Sequence, residues 1–400
     1  MKLKRVGKVL GAVGLVLLIL IGGLFAVGIL GVPDAGLEDN EWGEVEEDRI
    51  EVLTTVWVDN PNPFGIGGEA DVEYDIELEG VELAAGEGTG ISISSGENHL
   101  EFSTDLRQQR IPAWWSAHLN NDERSELAVD ATVHASAGPF SGSPSGSYSD
   151  EVETDIEGAL DEAFSEFEGE YSATGEGVSL PDGMAVEPTI EITETTTEWG
   201  AVDENSTEIL LTVDIYNPNA YPIPTPAFTG ELEMNELTMA QWDADDVEVR
   251  DAGEDAIIAP QSTEQRTLVV VMDNDNIPPW LGTHVDRDEF SDVVISGQLA
   301  LSINGEQMTI PQQGDAIQCE YDLTTSIFVD QESGMDRDGC GLAPLDTTED
   351  ELDAAGATLD LTETDWWDED GNGLLDGLSE GDDEDEEEGD DDDSIIPEDT

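Results

Sequence analysis

Carboxylates are the chemistry this chain has in quantity: of 400 residues, 96 are Asp or Glu, against 12 Lys or Arg, four His and two Cys. One stretch gives them ligand spacing. Asp368, Asp370, Asn372 and Asp376, with Gly373 at the turn and the Leu374 carbonyl as a further oxygen, follow the order of a calcium-binding loop. Ser379 stands where a full EF-hand has its bidentate glutamate. The pattern is therefore nearer to the short Asp-rich calcium repeats of extracellular proteins, and diffuse condensation of cations on an acidic tail is the competing reading. Cys319 and Cys340, 21 residues apart, suit a disulfide on an oxidising side, with two free thiols as the alternative. Asn205-Ser206-Thr207 is an N-x-S/T sequon, which makes Asn205 a candidate glycan site. No G-x-S-x-G elbow, Walker loop, H-E-x-x-H helix or dinucleotide fingerprint is present. Acid pairs are too common for spacing alone to single out a glycosidase dyad. The expectation is a non-enzymatic chain with no catalytic residues and no required cofactor, calcium being the candidate ion.

The placement of charge constrains what holds these residues. The formal net charge is −84, which disfavours nucleic acid as a partner. All three lysines (Lys2, Lys4, Lys8) and Arg5 precede the first acid, Asp34. Residues 331–400 hold 29 acids, which leaves 67 acids and seven arginines between Asp34 and Asp330. An acidic tail cannot account for that excess. Acid replacing lysine across a patterned chain resembles the proteins of extreme halophiles, where concentrated salt screens self-repulsion.

Val9 to Val32 is an uncharged run of 24 residues behind the basic stub 1–8. At about 1.5 Å per residue it is long enough for a hydrocarbon core of roughly 30 Å. It reads as a transmembrane signal anchor over 9–32 in the lipid bilayer of the cell membrane, single-pass, with the N-terminus cytoplasmic and the bulk of the chain extracellular. A cleaved signal peptide is the alternative.

Beyond the anchor the pattern is that of strands. Val72, Tyr74, Ile76 and Leu78 alternate with Glu73, Asp75, Glu77 and Glu79, the signature of a strand with one wet face. Two landmarks recur. Asn60-Pro61-Asn62 returns as Asn217-Pro218-Asn219 at an offset of 157, and IPAWWSAHLNNDERS from Ile111 returns as IPPWLGTHVDRDEFS from Ile277 at an offset of 166. Tandem domains follow, with nine extra positions absorbed in a loop. Proline holds the preceding asparagines out of helix, so each Asn-Pro-Asn makes a rigid corner between strands. The second landmark starts a short helix at Pro112 or Pro278 and puts Trp114 and His118, or Trp280 and His284, along an apolar stripe. A lone histidine on such a stripe is read as a hydrogen-bonded structural residue before it is read as a ligand. Ile156 to Glu170 fits an amphipathic helix packed between the domains.

The strand, the Asn-Pro-Asn corner, the alternating strand and the later Ile-Pro helix resemble the late embryogenesis abundant group 2 family, the water stress and hypersensitive response (WHy) domain. The resemblance implies an all-β chain: two tandem immunoglobulin- or fibronectin-like antiparallel β-sandwiches over 44–157 and 185–330, each with a short helix. A linker with a short helix (158–184) would join them, and a disordered acidic tail (331–400) would follow. It also implies a role in desiccation or salt stress protection, or in envelope structure, for a membrane-anchored archaeal form. The alternative is an extracellular recognition module that binds envelope polymer, lipid or a surface protein, with cations bridging its acids.

Overall fold

A computed structural model describes residues 34–46, 48–63, 65–137, 140–143, 145–172, 178–179, 185–242, 248–250, 257–303, 306–311, 315–325, 327–332, 334–344 and 358–359. The fold is all-β, in curled antiparallel sheets, with three short α-helices among the described residues. The apolar run 9–32 lies outside them. Among the described residues no helix is long and apolar enough to cross a membrane.

The first body contains β1 (Asp34–Val45), β2 (Arg49–Asn60), β3 (Ile66–Leu78), β4 (Val81–Ile93), β5 (Gly96–Arg107), α1 (Ile111–Asn120), β6 (Arg124–Ala137), β7 (Phe140–Gly142) and β8 (Ser145–Glu153). One layer is β1-β2-β5 and the other is β4-β3-β6-β8, joined at a seam of only two residue pairs, Ala84 with Leu106 and Ala85 with Asp105. Alternation decides which face is inside. Val52, Val56 and Val58 of β2 meet Val72, Tyr74 and Ile76 of β3 and Leu127 and Val129 of β6 in one core.

After α2 (Ile156–Ser165), the second body repeats the plan with β9 (Gly169–Ser172), β10 (Thr189–Val202), β11 (Ser206–Tyr216), β12 (Ala227–Met234), β13 (Leu237–Trp242), β14 (Thr263–Asp273), α3 (Ile277–Asp286), β15 (Phe290–Ile303), β16 (Glu306–Ile310), β17 (Asp315–Thr324) and β18 (Gly334–Pro344). Its layers are β9-β10-β11-β14 and β13-β12-β15-β17-β18, touching at the single pair Ala240 and Met272. β11 begins 157 residues after β2, whereas α3 begins 166 after α1. The extra residues fall between β13 and β14.

Three boundaries differ from those expected. The first sheet starts at Asp34 rather than 44, because β1 pairs with β2 from Asp34 opposite Asp59. The helix expected between the domains belongs to the second body, where Ala163 and Phe164 enter the core and β9 extends the sheet edge against β10. Acids on the helix and just beyond it explain the placement: Glu157 and Asp161 of α2, and Glu168 after it, accept from the backbone N–H groups of Trp199, Thr197 and Thr195 along β10, which satisfies a strand edge. The segment read as the start of the acidic tail forms β18, paired with β17 over ten positions and joined to it by a disulfide between Cys319 and Cys340, which lie directly opposite.

One pair of glycines shows how the copies fill the same volume differently. Tyr74 faces Gly86 across β3 and β4, and a Cβ on Gly86 would lie 2.1 Å from the tyrosine ring. At the matching positions Gly230 faces Trp242, and its Cβ would lie 2.3 Å from the indole. The aromatic ring has changed strands, and the glycine beneath it has changed with it.

The wet faces are crowded with like charge. Among the described residues, eleven acid pairs stand directly across neighbouring strands, including Glu73 and Glu87, Asp75 and Asp130, Glu51 and Asp105, and Asp292 and Asp322.

Candidate functional site

The duplicated polar residues converge where the two bodies meet. In each copy the helix is followed by two residues in the left-handed region, Asp122 and Glu123 (φ 53° and 55°) or Asp288 and Glu289 (57° and 60°). Such a backbone is unfavourable for a side chain with a Cβ, so something must hold it. The turn points the glutamate inward, and both glutamates are buried.

Glu123 receives only donors. Its carboxylate accepts from the N–H groups of Ile156 (2.5 Å) and Glu157 (2.7 Å), from the Thr154 hydroxyl (2.8 Å) and from the indole of Trp199 in the second body (3.0 Å). Glu289 mirrors it, accepting from the N–H groups of Ile327, Phe328 and Val329, the Thr325 hydroxyl (3.0 Å) and the indole of Trp42 in the first body (2.8 Å). Each copy thus lends a tryptophan, Trp42 from β1 or Trp199 from β10, to the other copy's glutamate, as a pseudo-two-fold contact requires. Phe328 packs against Trp42 with ring centroids 4.5 Å apart and the planes tilted by 54°. Between these two clamps, the Trp115 indole donates to Thr207 (3.1 Å), whose hydroxyl donates to Asn274 (2.9 Å).

Behind each glutamate runs a chain of hydrogen bonds. The Trp114 indole donates to the Ser125 hydroxyl (3.0 Å), Ser125 meets His118 Nδ1 (2.8 Å), and His118 Nε2 meets the Thr154 hydroxyl (2.9 Å) that donates to Glu123. Because Thr154 spends its proton on the carboxylate, it accepts from His118, which fixes the proton on Nε2 and leaves Nδ1 to accept from Ser125. Trp280, Ser291, His284, Thr325 and Glu289 repeat the chain. Burial lowers the His118 pKa against the opposing pull of Glu123 and Glu79, and lowers that of His284 to about 4 against Glu289. Both imidazoles are therefore neutral near pH 7. Glu123 is held below the ordinary carboxylate value: burial alone would raise it, and the four donors outweigh burial.

Serine, histidine and glutamate in one chain invite a nucleophilic reading. Accessibility argues against it, because Ser125 and Ser291 are fully buried and each hydroxyl already accepts from an indole. A wide cleft of about 630 Å³ does open beside the first clamp, with Asp122, Arg124, Glu153, Asp155 and Gly200 on its walls.

The Asn-Pro-Asn corners sit at the opposite strand ends. Asn60 Oδ1 accepts from the Asn62 N–H (3.1 Å) while its amide donates to the Ser94 carbonyl, closing a turn around Pro61. Around Pro218, Asn217 holds the Asn219 N–H (2.9 Å) and donates to the carbonyls of Tyr221, Ile258 and Ala259. Asn219 reaches on to the Thr189 carbonyl (2.7 Å). These are structural bonds, of buried amides at Asn60, Asn62 and Asn217 and a half-buried one at Asn219. The two landmarks therefore stay apart.

Asn205 is exposed in the turn before β11, and Thr207 of its sequon is fully buried. Asp368, Asp370, Asn372, Leu374 and Asp376 lie outside the described residues. Among the described residues, no group of three His, Cys, Asp or Glu side chains is placed to hold a metal ion. Glu123, Glu289, Trp42 and Trp199 were not singled out by sequence reasoning, although a signal existed. Asp-Glu is shared in register by both copies of the second landmark, and Trp42 and Trp199 are separated by 157, the offset of the first.

Residues 55–147 match the model of a family described as late embryogenesis abundant protein. No curated protein matches the sequence. Among solved structures, a protein from Archaeoglobus fulgidus is 23% identical over 32% of this chain and 98% of its own, with a TM-score of 0.26. A protein from Arabidopsis thaliana is 15% identical over 32% of this chain and 88% of its own, with a TM-score of 0.24. The YadV chaperone is 11% identical over 78% of this chain and 99% of its own, with a TM-score of 0.18.

Proposed function

We propose that this chain is a membrane-tethered, non-enzymatic protein of the late embryogenesis abundant type, held outside the cytoplasm in concentrated salt. Its paired sandwiches serve protection against desiccation or salt stress, or the structure of the envelope. The observation that carries this reading is the use made of the duplicated polar residues. Every histidine, asparagine and glutamate of the two motifs is committed to holding strands, turns and the two bodies together, which leaves the acid-coated surface as the part that meets the surroundings. The family match over 55–147 supports the stress-related part. The basic stub and apolar run before Asp34 support the tether and its orientation.

A second reading has one observation in its favour, the wide cleft at the junction of the bodies, which suits recognition of an envelope polymer, a lipid or a surface protein with calcium or other cations bridging the acids. Protease added to intact cells tests the topology, since the bulk of the chain should be shaved. Protection that ends only on lysis would overturn outward orientation. Pull-down from envelope extract with the full chain then separates the readings: absence of a stoichiometric partner supports protection, and a single saturating partner supports recognition.

A further inference from the structure

The two clamps differ in what covers the tryptophan. Thr154 and Thr325, each bonded to its own histidine and glutamate, set the alignment of the copies. On that alignment the Glu157 N–H that donates to Glu123 corresponds to the Phe328 N–H that donates to Glu289. Phe328 covers Trp42. Glu157 gives Trp199 no such cover: its carboxylate accepts from the Trp199 backbone N–H (3.2 Å), and among the described residues no ring or guanidinium lies on that indole. The cleft of about 630 Å³ opens there instead, with Trp199 on its wall.

Charge diverges at the same positions. Glu153, Asp155 and Glu157 of the cleft match Thr324, Ser326 and Phe328 in the second copy. Arg124 is the cation of the cleft, and Glu153 takes it (3.2 Å). Among the described residues no arginine or histidine pairs with Asp122, Asp155 or Glu157. These carboxylates are not drawn together as the ligands of a metal ion are, so they suit a cation whose charge is spread over several atoms. The face of an indole attracts such a cation as well.

We propose, building on the recognition reading of this cleft, that it takes an organic cation: an ammonium whose alkyl substituents lie on the Trp199 indole, as Phe328 lies on Trp42, and whose charge faces Asp122, Asp155 and Glu157. The same acids repel anions, and a neutral apolar group gains the indole alone.

Choline and its uncharged carbon isostere, 3,3-dimethylbutanol, test the site. The full chain is titrated calorimetrically in phosphatidylglycerol vesicles, which carry no choline, at 2 M KCl, where diffuse attraction to the acidic surface is screened. The expected result is saturable one-to-one binding of choline and several-fold weaker binding of the alcohol. Glu157→Phe installs the residue of the second copy and should abolish choline binding. Asp122→Asn combined with Asp155→Asn, both exposed positions, should weaken choline several-fold and leave the alcohol unchanged; this arm decides if Glu157→Phe does not fold. Choline binding that does not saturate, that equals the alcohol's, or that survives both sets of substitutions would overturn the site. Pull-down from envelope extract with excess choline separates this outcome from that of the recognition reading. A partner that choline releases carries the ammonium itself, and saturable choline binding with no partner makes the ligand a free solute. A captured partner that choline does not release, with no choline binding by calorimetry, overturns the cation site and leaves recognition standing.

Discussion

Dilution of salt is the perturbation to which this fold should be most sensitive, and the size of the effect follows from the sheet register. Among the described residues eleven acid pairs face each other across strands. Two exposed carboxylates about 6 Å apart in water repel by roughly 0.7 kcal/mol. A Debye length near 30 Å at 0.01 M leaves most of that repulsion, whereas one near 3 Å at 1 M leaves about a seventh. Each pair therefore gains about 0.5 kcal/mol between those conditions, and eleven gain about 5 kcal/mol. Exposed side chains that splay apart lower the sum by about half. What remains, about 2–5 kcal/mol, is a large part of the roughly 5–15 kcal/mol that holds a domain together. Urea unfolding of the full chain followed by circular dichroism, from 0.01 to 2 M KCl, should show the midpoint rising with salt and the strand signal weakening at the low end. Asp75→Asn, which removes the charge opposite Asp130, should stabilise at low salt and be neutral at 2 M. A midpoint independent of salt, or an Asp75→Asn effect that does not fade with salt, would refute the reasoning.

Three further outcomes are expected. Glu123→Gln sets an amide among donors only, so it should cost about 2–4 kcal/mol and loosen the two bodies, read as faster amide exchange at Ile156 and Glu157. Because the Glu123 pKa is depressed in the fold, its contribution is complete above the ordinary carboxylate range and is lost as pH falls through the lowered value; acid unfolding of the wild type should contain this step and Glu123→Gln should lack it. Gly86→Ala drives a methyl into the Tyr74 ring and should destabilise by about 1–3 kcal/mol, with Gly230→Ala doing the same under Trp242, measured by thermal unfolding. Reducing the Cys319–Cys340 bond, which closes a separation of 21 residues, should lower stability by about 3 kcal/mol and free β18 first, visible as proteolysis between 334 and 344.

Much of this architecture is legible in the sequence because alternation and repetition are one-dimensional signals. Val72 to Leu78 declares both a strand and its buried face, and the recurrence of Asn-Pro-Asn and of the Ile-Pro helix declares two copies. The candidate site was less legible for a physical reason. Among 96 acids nothing local marks Glu123 and Glu289 as the ones turned inward, since their burial depends on donors brought from 31 to 247 residues away. The placement of α2 was hidden likewise: its amphipathic face is plain, but only the free N–H groups along β10 show which body its acids serve. β18 escaped the pattern because Gly334 to Pro344 has little alternation and is held by backbone pairing and one disulfide.

Drying a labile enzyme beside the full chain in vesicles, in molar KCl, tests the protective claim most directly. Activity recovered on rehydration should rise with the amount of chain and exceed that given by an equal mass of an unrelated acidic protein. It should fall when Glu123→Gln and Glu289→Gln are combined to loosen the paired bodies. Recovery no better than the unrelated protein, at any ratio and with the fold intact, would contradict the account.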